Sequence, residues 1–502
     1  MFGFVSSGKS NSLGSYGSSS QSSNNNQGIQ LKHRRRRFIL VILISISIVL
    51  FILLLFCKFS TAGYKADNDS VGGDADSTGF YDKNTRLRLQ ETIKNLEDKI
   101  ISDGNNKAAI KFIPPDNENV HYVMTTDCGR YSDWQSIIAY NSLRKTGFKG
   151  NFTRLIACEK KPERVLSHST YFSDYFITPF FGNNPGPDFF PPLAKPNSIM
   201  SWIEDGPGRF IHDDQQIVLI DQDFISLDYL KPQAPCGFPM AQKYGMGDGF
   251  LYDGTADKYC RGKCKNFKGK IDDYLVGPPY MMCMGDLRKI GVLWRDITRE
   301  ITKNSKYGQH NKEWLSDMYG YIMGSIILGL PHITRVDWMI SVAETSDEWS
   351  DFYKAGLEAQ RLGRTPLKVT PTLHVCQGYE VPLNDGSDMV LKFNKHEFHE
   401  RDMEGLLNCD PEISKKRLFN TLLGKKKEKE LLLSELPFTV PKFEEALEAT
   451  IQAKSKSSSS KYSASEARLM RNKWAIGTFI TEAESAFKEY RRRICVEPMN
   501  DF

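Results

Sequence analysis

Residues 216–223 read Gln-Ile-Val-Leu-Ile-Asp-Gln-Asp, an apolar run that ends in two carboxylates flanking an amide. A short run of this kind, rich in β-branched side chains and without polar alternation, predicts a strand buried on both faces. Working outward, Val120–Thr125 and Phe152–Cys158 read as two more strands. Between them, Trp134–Arg144 places Trp134, Ile137, Ile138 and Leu143 near helical spacing. Another helical stretch, Ser198–Glu204, follows Lys195-Pro196. Strand–helix–strand alternation predicts an α/β sheet with parallel strands, whose ligands bind beyond the carboxyl ends of the strands. Thr125-Thr126-Asp127 and Asp221-Gln222-Asp223 are thereby expected on one edge of the sheet.

Asp-x-Asp at a strand end has a physical use. Two carboxylates two residues apart can hold a hard divalent cation, or bind a ribose hydroxyl beside it. Mg²⁺ and Mn²⁺ prefer oxygen ligands, and share one or two carboxylates with substrate phosphates. The tripeptide alone is weak, because a solvated turn has the same sequence.

The flanking sequence adds context. Residues 38–57, FILVILISISIVLFILLLFC, are twenty residues without a charge. A helix of that length is about 30 Å long and predicts one membrane span. His33 and Arg34 to Arg37 precede it and only Lys58 follows closely, which predicts a cytosolic N-terminus and a lumenal remainder. Lys9, Lys32 and Arg34 to Arg37, with no acidic residue before position 38, account for more than the net charge of +5. The rest of the chain is close to neutral, so nucleic acid is not an expected partner. Nine cysteines lie beyond the span, at 128, 158, 236, 260, 264, 283, 376, 409 and 495. A lumenal site favours disulfides, including at Cys260-x3-Cys264 in preference to zinc, and the odd number leaves at least one thiol free. Asn68-Asp69-Ser70 and Asn151-Phe152-Thr153 are N-glycosylation acceptor sequences.

The expected organisation is a disordered basic tail (1–37), the span (38–57), a stalk (58–118), a catalytic domain (119–410) and a helical extension (411–502) that includes one long amphipathic helix over Ala464–Arg492. Asp286 reads as a helix N-cap. The run His396, Glu397, His399 and Glu400 reads as a surface helix or loop in preference to a second metal site.

From His121 to Cys409 the chain resembles the hydroxyproline O-arabinosyltransferases and peptidyl serine α-galactosyltransferases of plants and algae. The blocks are Tyr131-Ser132-Asp133-Trp134-Gln135, Thr153 to Cys158, Lys195-Pro196 with Trp202, Val218 to Asp223, Gly277-Pro278-Pro279 to Trp294, Trp314 to Tyr321, and Leu373 to Tyr379. Gln222 stands where the family usually has Ala or Pro, and Asp317 where it commonly has Glu. The resemblance implies a GT-A-like glycosyltransferase domain with a Rossmann-like mixed sheet, a Golgi membrane protein of type II topology, and a UDP-sugar donor with Mn²⁺ or Mg²⁺.

By the same resemblance, Asp223 and Asp221 would hold the metal, Asp221 would alternatively bind the ribose, and His374 would complete the metal's ligands. Thr125, Thr126 and Asp127 would line the uridine pocket. Lys195 would pair with phosphate, or else pack its stem at a helix start. His374 would otherwise be a hydrogen-bonded core histidine. Asp317, in an aromatic block with Trp314, Tyr319 and Tyr321, would deprotonate the acceptor hydroxyl or bind donor hydroxyls; its plainer reading is a carboxylate at a helix N-terminus. The competing function is a membrane-tethered glycan-binding or scaffold protein with a degenerate transferase fold. A lumenal hydrolase is disfavoured, since neither Gly-x-Ser-x-Gly nor His-Glu-x-x-His is present.

Overall fold

The computed structural model describes residues 120–496, except 159–168, 180–192, 247, 252–253, 261–263, 265–268, 305–314, 383–389, 396–405, 412, 414–437 and 456–459. The tail, the predicted span, the stalk, Trp314 and the His396–Glu400 run therefore lie outside the described residues. All of the described residues belong to one unit, Lys111–Phe502. Among them, no helix is long and apolar enough to cross a membrane.

A seven-stranded sheet forms the centre. In chain order its strands are β1 (Val120–Asp127), β2 (Asn151–Ala157), β3 (Asp174–Thr178), β4 (Gln216–Asp221), β6 (Met240–Lys243), β7 (Val276–Cys283) and β8 (Ile333–Arg335). They lie side by side as β3-β2-β1-β4-β7-β6-β8. A second sheet joins β5 (Phe224–Ser226), β9 (Met339–Ile340) and β10 (Thr372–His374) in the order β5-β10-β9. Strands β11 (Tyr379–Pro382) and β12 (Val390–Phe393) form a separate antiparallel pair.

The helices are α1 (Arg130–Lys145), α2 (Ala194–Glu204), α3 (Thr255–Cys260), α4 (Met284–Asn304), α5 (Ser316–Leu328), α6 (Asp347–Arg361), α7 (Phe443–Lys454) and α8 (Ala464–Arg491). The strand predicted from the apolar run is β4. Its Val218 and Ile220 join one core cluster, and Ile217 and Leu219 the other. Burial on both faces is the reason the run shows no polar alternation.

The parallel arrangement holds for β3, β2, β1 and β4. It fails at β7, which runs antiparallel to both β4 and β6. After β6 the chain makes an excursion whose ends meet, with the Tyr244 N–H donating to the Leu275 carbonyl at 3.0 Å. It thus re-enters from the edge it left, without a crossover, and the strand is reversed.

One face of the sheet is covered by α2, α4 and α5 through Met200, Trp202, Ile290, Trp294 and Tyr321. The other is covered by α1 together with α8. The C-terminal helices therefore share the main core. Phe479 packs edge-on against Trp134, with ring centroids 6.1 Å apart, and the Lys145 ammonium lies 2.7 Å from Glu482. Ser463 caps α8, accepting from the Glu466 N–H while Glu466 reaches back to the cap. Among the described residues four disulfides, Cys128–Cys158, Cys236–Cys283, Cys260–Cys264 and Cys409–Cys495, pair eight cysteines and leave Cys376 as a free thiol. This matches the disulfide reading of Cys260-x3-Cys264 and the unpaired cysteine.

Candidate active site

The carboxyl end of β4 delivers Asp221, and the next turn delivers Asp223 and β5. Strand β10 pairs antiparallel with β5 so that His374 stands opposite Phe224. That pairing closes a long sequence gap: the Val375 N–H donates to the Asp223 carbonyl at 3.0 Å, and His374 Nε2 lies 3.2 Å from Asp223 Oδ2. One ligand atom from each of Asp221, Asp223 and His374 falls within 4.8 Å of the others. Two carboxylates and an imidazole are a donor set suited to a divalent cation such as Mn²⁺.

Two lysines complete the electrostatics. The Lys195 ammonium, from the first turn of α2, lies 2.7 Å from Asp221 and 3.3 Å from Asp317. Burial alone would lower the Lys195 pKa, but the two carboxylates outweigh it and hold the ammonium firmly charged. Lys395 pairs with Asp223 Oδ2. Burial pushes the Asp223 carboxyl up, but His374 and Lys395 bring it well below the ordinary carboxylate range. For His374, burial is outweighed by Asp223 and then Cys376, which raise its pKa to about 10. Asp317, in the first turn of α5, is raised by burial, with Lys195 acting against the shift. With two ammonium groups against the carboxylates, the pocket is built to be electrically satisfied by positive charge, and a metal would supply the same charge.

The remaining expected residues fall along the same edge. Thr125 pairs in register with Asp221 across β1 and β4. Asp127 ends β1, and its Oδ1 accepts from the Gly129 N–H and the Ser132 hydroxyl, both at 2.7 Å, at the start of α1. Thr126 is buried; its hydroxyl donates to the Leu155 carbonyl and accepts from Arg154 Nε. Arg154 itself is fully buried, 2.9 Å from Asp133. The side chain of Thr126 is thus committed to the core, and only its backbone is left for a ligand. Asp286 is no N-cap: it lies inside the first turn of α4 and accepts from the Gly237 N–H at 2.6 Å.

Two residues at the site were not anticipated. Lys395 follows β12 in a lysine-rich, otherwise unremarkable stretch, and only the tertiary fold brings it to Asp223. Tyr244 places its hydroxyl 3.2 Å from His374 Nδ1. The single trace of it in the sequence is Gly277, where a Cβ would run into the Tyr244 ring.

Comparison with known proteins agrees with the sequence blocks. Residues 120–334 match the family model of the hydroxyproline O-arabinosyltransferase family N-terminal domain. The chain is 26% identical over 251 residues to a peptidyl serine alpha-galactosyltransferase of Arabidopsis thaliana, covering 48% of this chain and 30% of that protein. It is 24% identical over 229 residues to hydroxyproline O-arabinosyltransferase 3 of the same plant, covering 44% of this chain and 59% of the relative. The chain thus spans less than two thirds of the length of either relative. Among solved structures, the galactosyltransferase LgtC in complex with donor and acceptor sugar analogues matches 57% of this chain and 95% of its own, with 12% identity and a TM-score of 0.33. By its segment 120–334, the chain is related to the hydroxyproline O-arabinosyltransferase family.

Proposed function

We propose that the chain is a metal-dependent, type II membrane glycosyltransferase with a GT-A-like catalytic domain. It would transfer a galactose- or arabinose-class sugar from a UDP-sugar to a serine or hydroxyproline hydroxyl of a protein acceptor, in the Golgi lumen. The observation that carries this reading is the convergence of Asp221, Asp223 and His374 at the carboxyl end of β4, with Lys195 and Asp317 beside them. The family match supports the reaction class. The four disulfides are in keeping with an oxidising lumen, and the span at 38–57 supplies the anchor.

Asp221, Asp223 and His374 would hold Mn²⁺ or Mg²⁺, whose chemistry there is to neutralise the diphosphate that leaves with the nucleotide. Thr125 and Asp127 line the nucleotide side of the edge. Lys195 presents a point charge suited to a phosphate oxygen. Through the same ammonium it fixes Asp317, whose carboxylate is placed to accept the proton of the acceptor hydroxyl or to hold a hydroxyl of the donor sugar.

The test is a screen of UDP-sugars with the full chain, with and without Mn²⁺. Donor hydrolysis or transfer is expected only with the cation, and Asp223→Ala is expected to abolish it. If calorimetry detects no cation-dependent UDP binding, the non-catalytic glycan-binding reading takes its place.

A further inference from the structure

The His374 ring is held at both nitrogens. Nε2 faces Asp223 Oδ2 and Nδ1 faces the Tyr244 hydroxyl, each at 3.2 Å. The edge of the Phe224 ring closes one side, with centroids 4.7 Å apart. Tyr244 is in turn fixed by its backbone, which donates to the Leu275 carbonyl, and by Gly277, which has no Cβ and so lets the phenol ring lie flat against the strand. An imidazole can bind a metal through Nε2 only if Nε2 carries no proton. The ring's one hydrogen then sits on Nδ1 and needs an acceptor. Without the metal, Nε2–H donates to Asp223 while Nδ1 keeps its hydrogen. In both states Nδ1–H needs an acceptor, and the Tyr244 hydroxyl is the group that faces it.

We propose that Tyr244 is the positioning residue of the metal site: its hydroxyl accepts from His374 Nδ1–H and so holds the ring with Nε2 turned toward Asp223, the orientation in which a cation is bound. The ring thereby keeps one orientation in both states. This rests on the metal reading of the Asp221–Asp223–His374 cluster. Partners of this kind are conventionally worth about 10–100-fold in metal affinity.

The experiment is Mn²⁺ binding to the full chain by calorimetry, comparing wild type with Tyr244→Phe, Gly277→Ala and His374→Ala. Tyr244→Phe is expected to bind about 10–100-fold more weakly. Gly277→Ala, which displaces the ring without touching a ligand, is expected to weaken binding in the same direction. Wild-type affinity in Tyr244→Phe, with binding weakened by His374→Ala, overturns the role of Tyr244 and leaves the metal reading standing. No Mn²⁺ binding by the wild type overturns the metal reading itself. A spectroscopic arm needs no variant. In ¹⁵N spectra of the wild type loaded with diamagnetic Mg²⁺, the His374 proton is expected on Nδ1, and a proton on Nε2 overturns the proposal even if Tyr244→Phe fails to fold.

Discussion

The Lys195 ammonium lies 3.3 Å from a carboxylate oxygen of Asp317 while touching Asp221 on its other side at 2.7 Å. One cation therefore couples the strand-end carboxylate pair to the first turn of α5. Without it, Asp221 and Asp317 would face each other as like charges. Asp317, already raised by burial, would move further up.

Lys195→Met is expected to lower turnover about 10²–10³-fold, the range found on removing one preorganised charge-stabilising group. On the proposed function Lys195 would act through Asp317 as well as on substrate, so the double variant Lys195→Met/Asp317→Asn should lose less than the sum of the two single losses in free energy. Steady-state kinetics on the three variants measure this. Full additivity would show the two residues to be independent.

Acid sensitivity follows from two buried histidines outside the Asp221–Asp223–His374 cluster. Burial lowers His121 to about 4 despite Asp174, and lowers His332 to about 3 despite its bond to the backbone at Asp273. His332 is also 2.8 Å from the Tyr321 hydroxyl. Both folded values lie below the ordinary 6.5, so over that window the unfolded chain binds more protons. Their stability contribution is therefore complete above about 6.5 and is lost as pH falls through about 4 and then about 3. Each group adds a slope of at most about 1.4 kcal/mol per pH unit. Urea unfolding from neutral pH downward should show falling stability, and His121→Gln should flatten the upper part of the curve. An unchanged slope in that variant would remove His121 from the account.

The C-terminal disulfide should matter more than the small one. Cys409 and Cys495 are 86 residues apart, whereas Cys260 and Cys264 are 4 apart. Loop-closure entropy puts the first near 4–5 kcal/mol as an upper value and the second near 2, so about 2–3 kcal/mol separates them. Unfolding free energies of Cys409→Ser/Cys495→Ser and Cys260→Ser/Cys264→Ser test the order. The first pair also ties down the helices that cover the sheet through Trp134 and Phe479.

Strand β4 was legible because burial on both faces leaves a local mark, the unbroken Ile-Val-Leu-Ile. Helix α1 is legible because Trp134, Ile137, Ile138 and Leu143 recur near helical spacing, but its burial on all sides is not, since Ser132, Asp133, Gln135 and Ser136 are buried as well. Asp221 and Asp223 were placed correctly because strand direction fixes which edge they occupy. The reversal of β7 left no local mark, since it depends on where the chain between Tyr244 and Leu275 travels. Lys395, Tyr244 and the seat of α8 against α1 are tertiary facts as well: a lysine beside a short strand, a tyrosine after another and an apolar helical stripe each fit many surroundings. Which groups of Thr126 face a ligand is not legible locally: alternate residues of a strand face opposite ways, and its side chain turns toward buried Arg154.

Gly320 gives a prediction in which two principles oppose each other. It lies in α5, where replacing glycine with alanine would ordinarily favour the helix by about 1 kcal/mol. Here a Cβ would strike Thr298 Oγ1 and come within 3.0 Å of the Trp294 carbonyl, both on α4. Overpacking of that kind costs about 1–3 kcal/mol and forces the helices apart. Gly320→Ala is therefore expected to be net destabilising. Because Asp317 is one turn away on the same helix, turnover should fall by more than the lost stability accounts for. Thr298→Ala in the same chain removes the closest of three contacts and leaves the Trp294 carbonyl and the Thr298 backbone nitrogen, so it should restore part of both losses. A Gly320→Ala protein more stable than wild type, measured by urea unfolding, would mean that α4 and α5 separate at little cost and that the glycine does not set the position of Asp317.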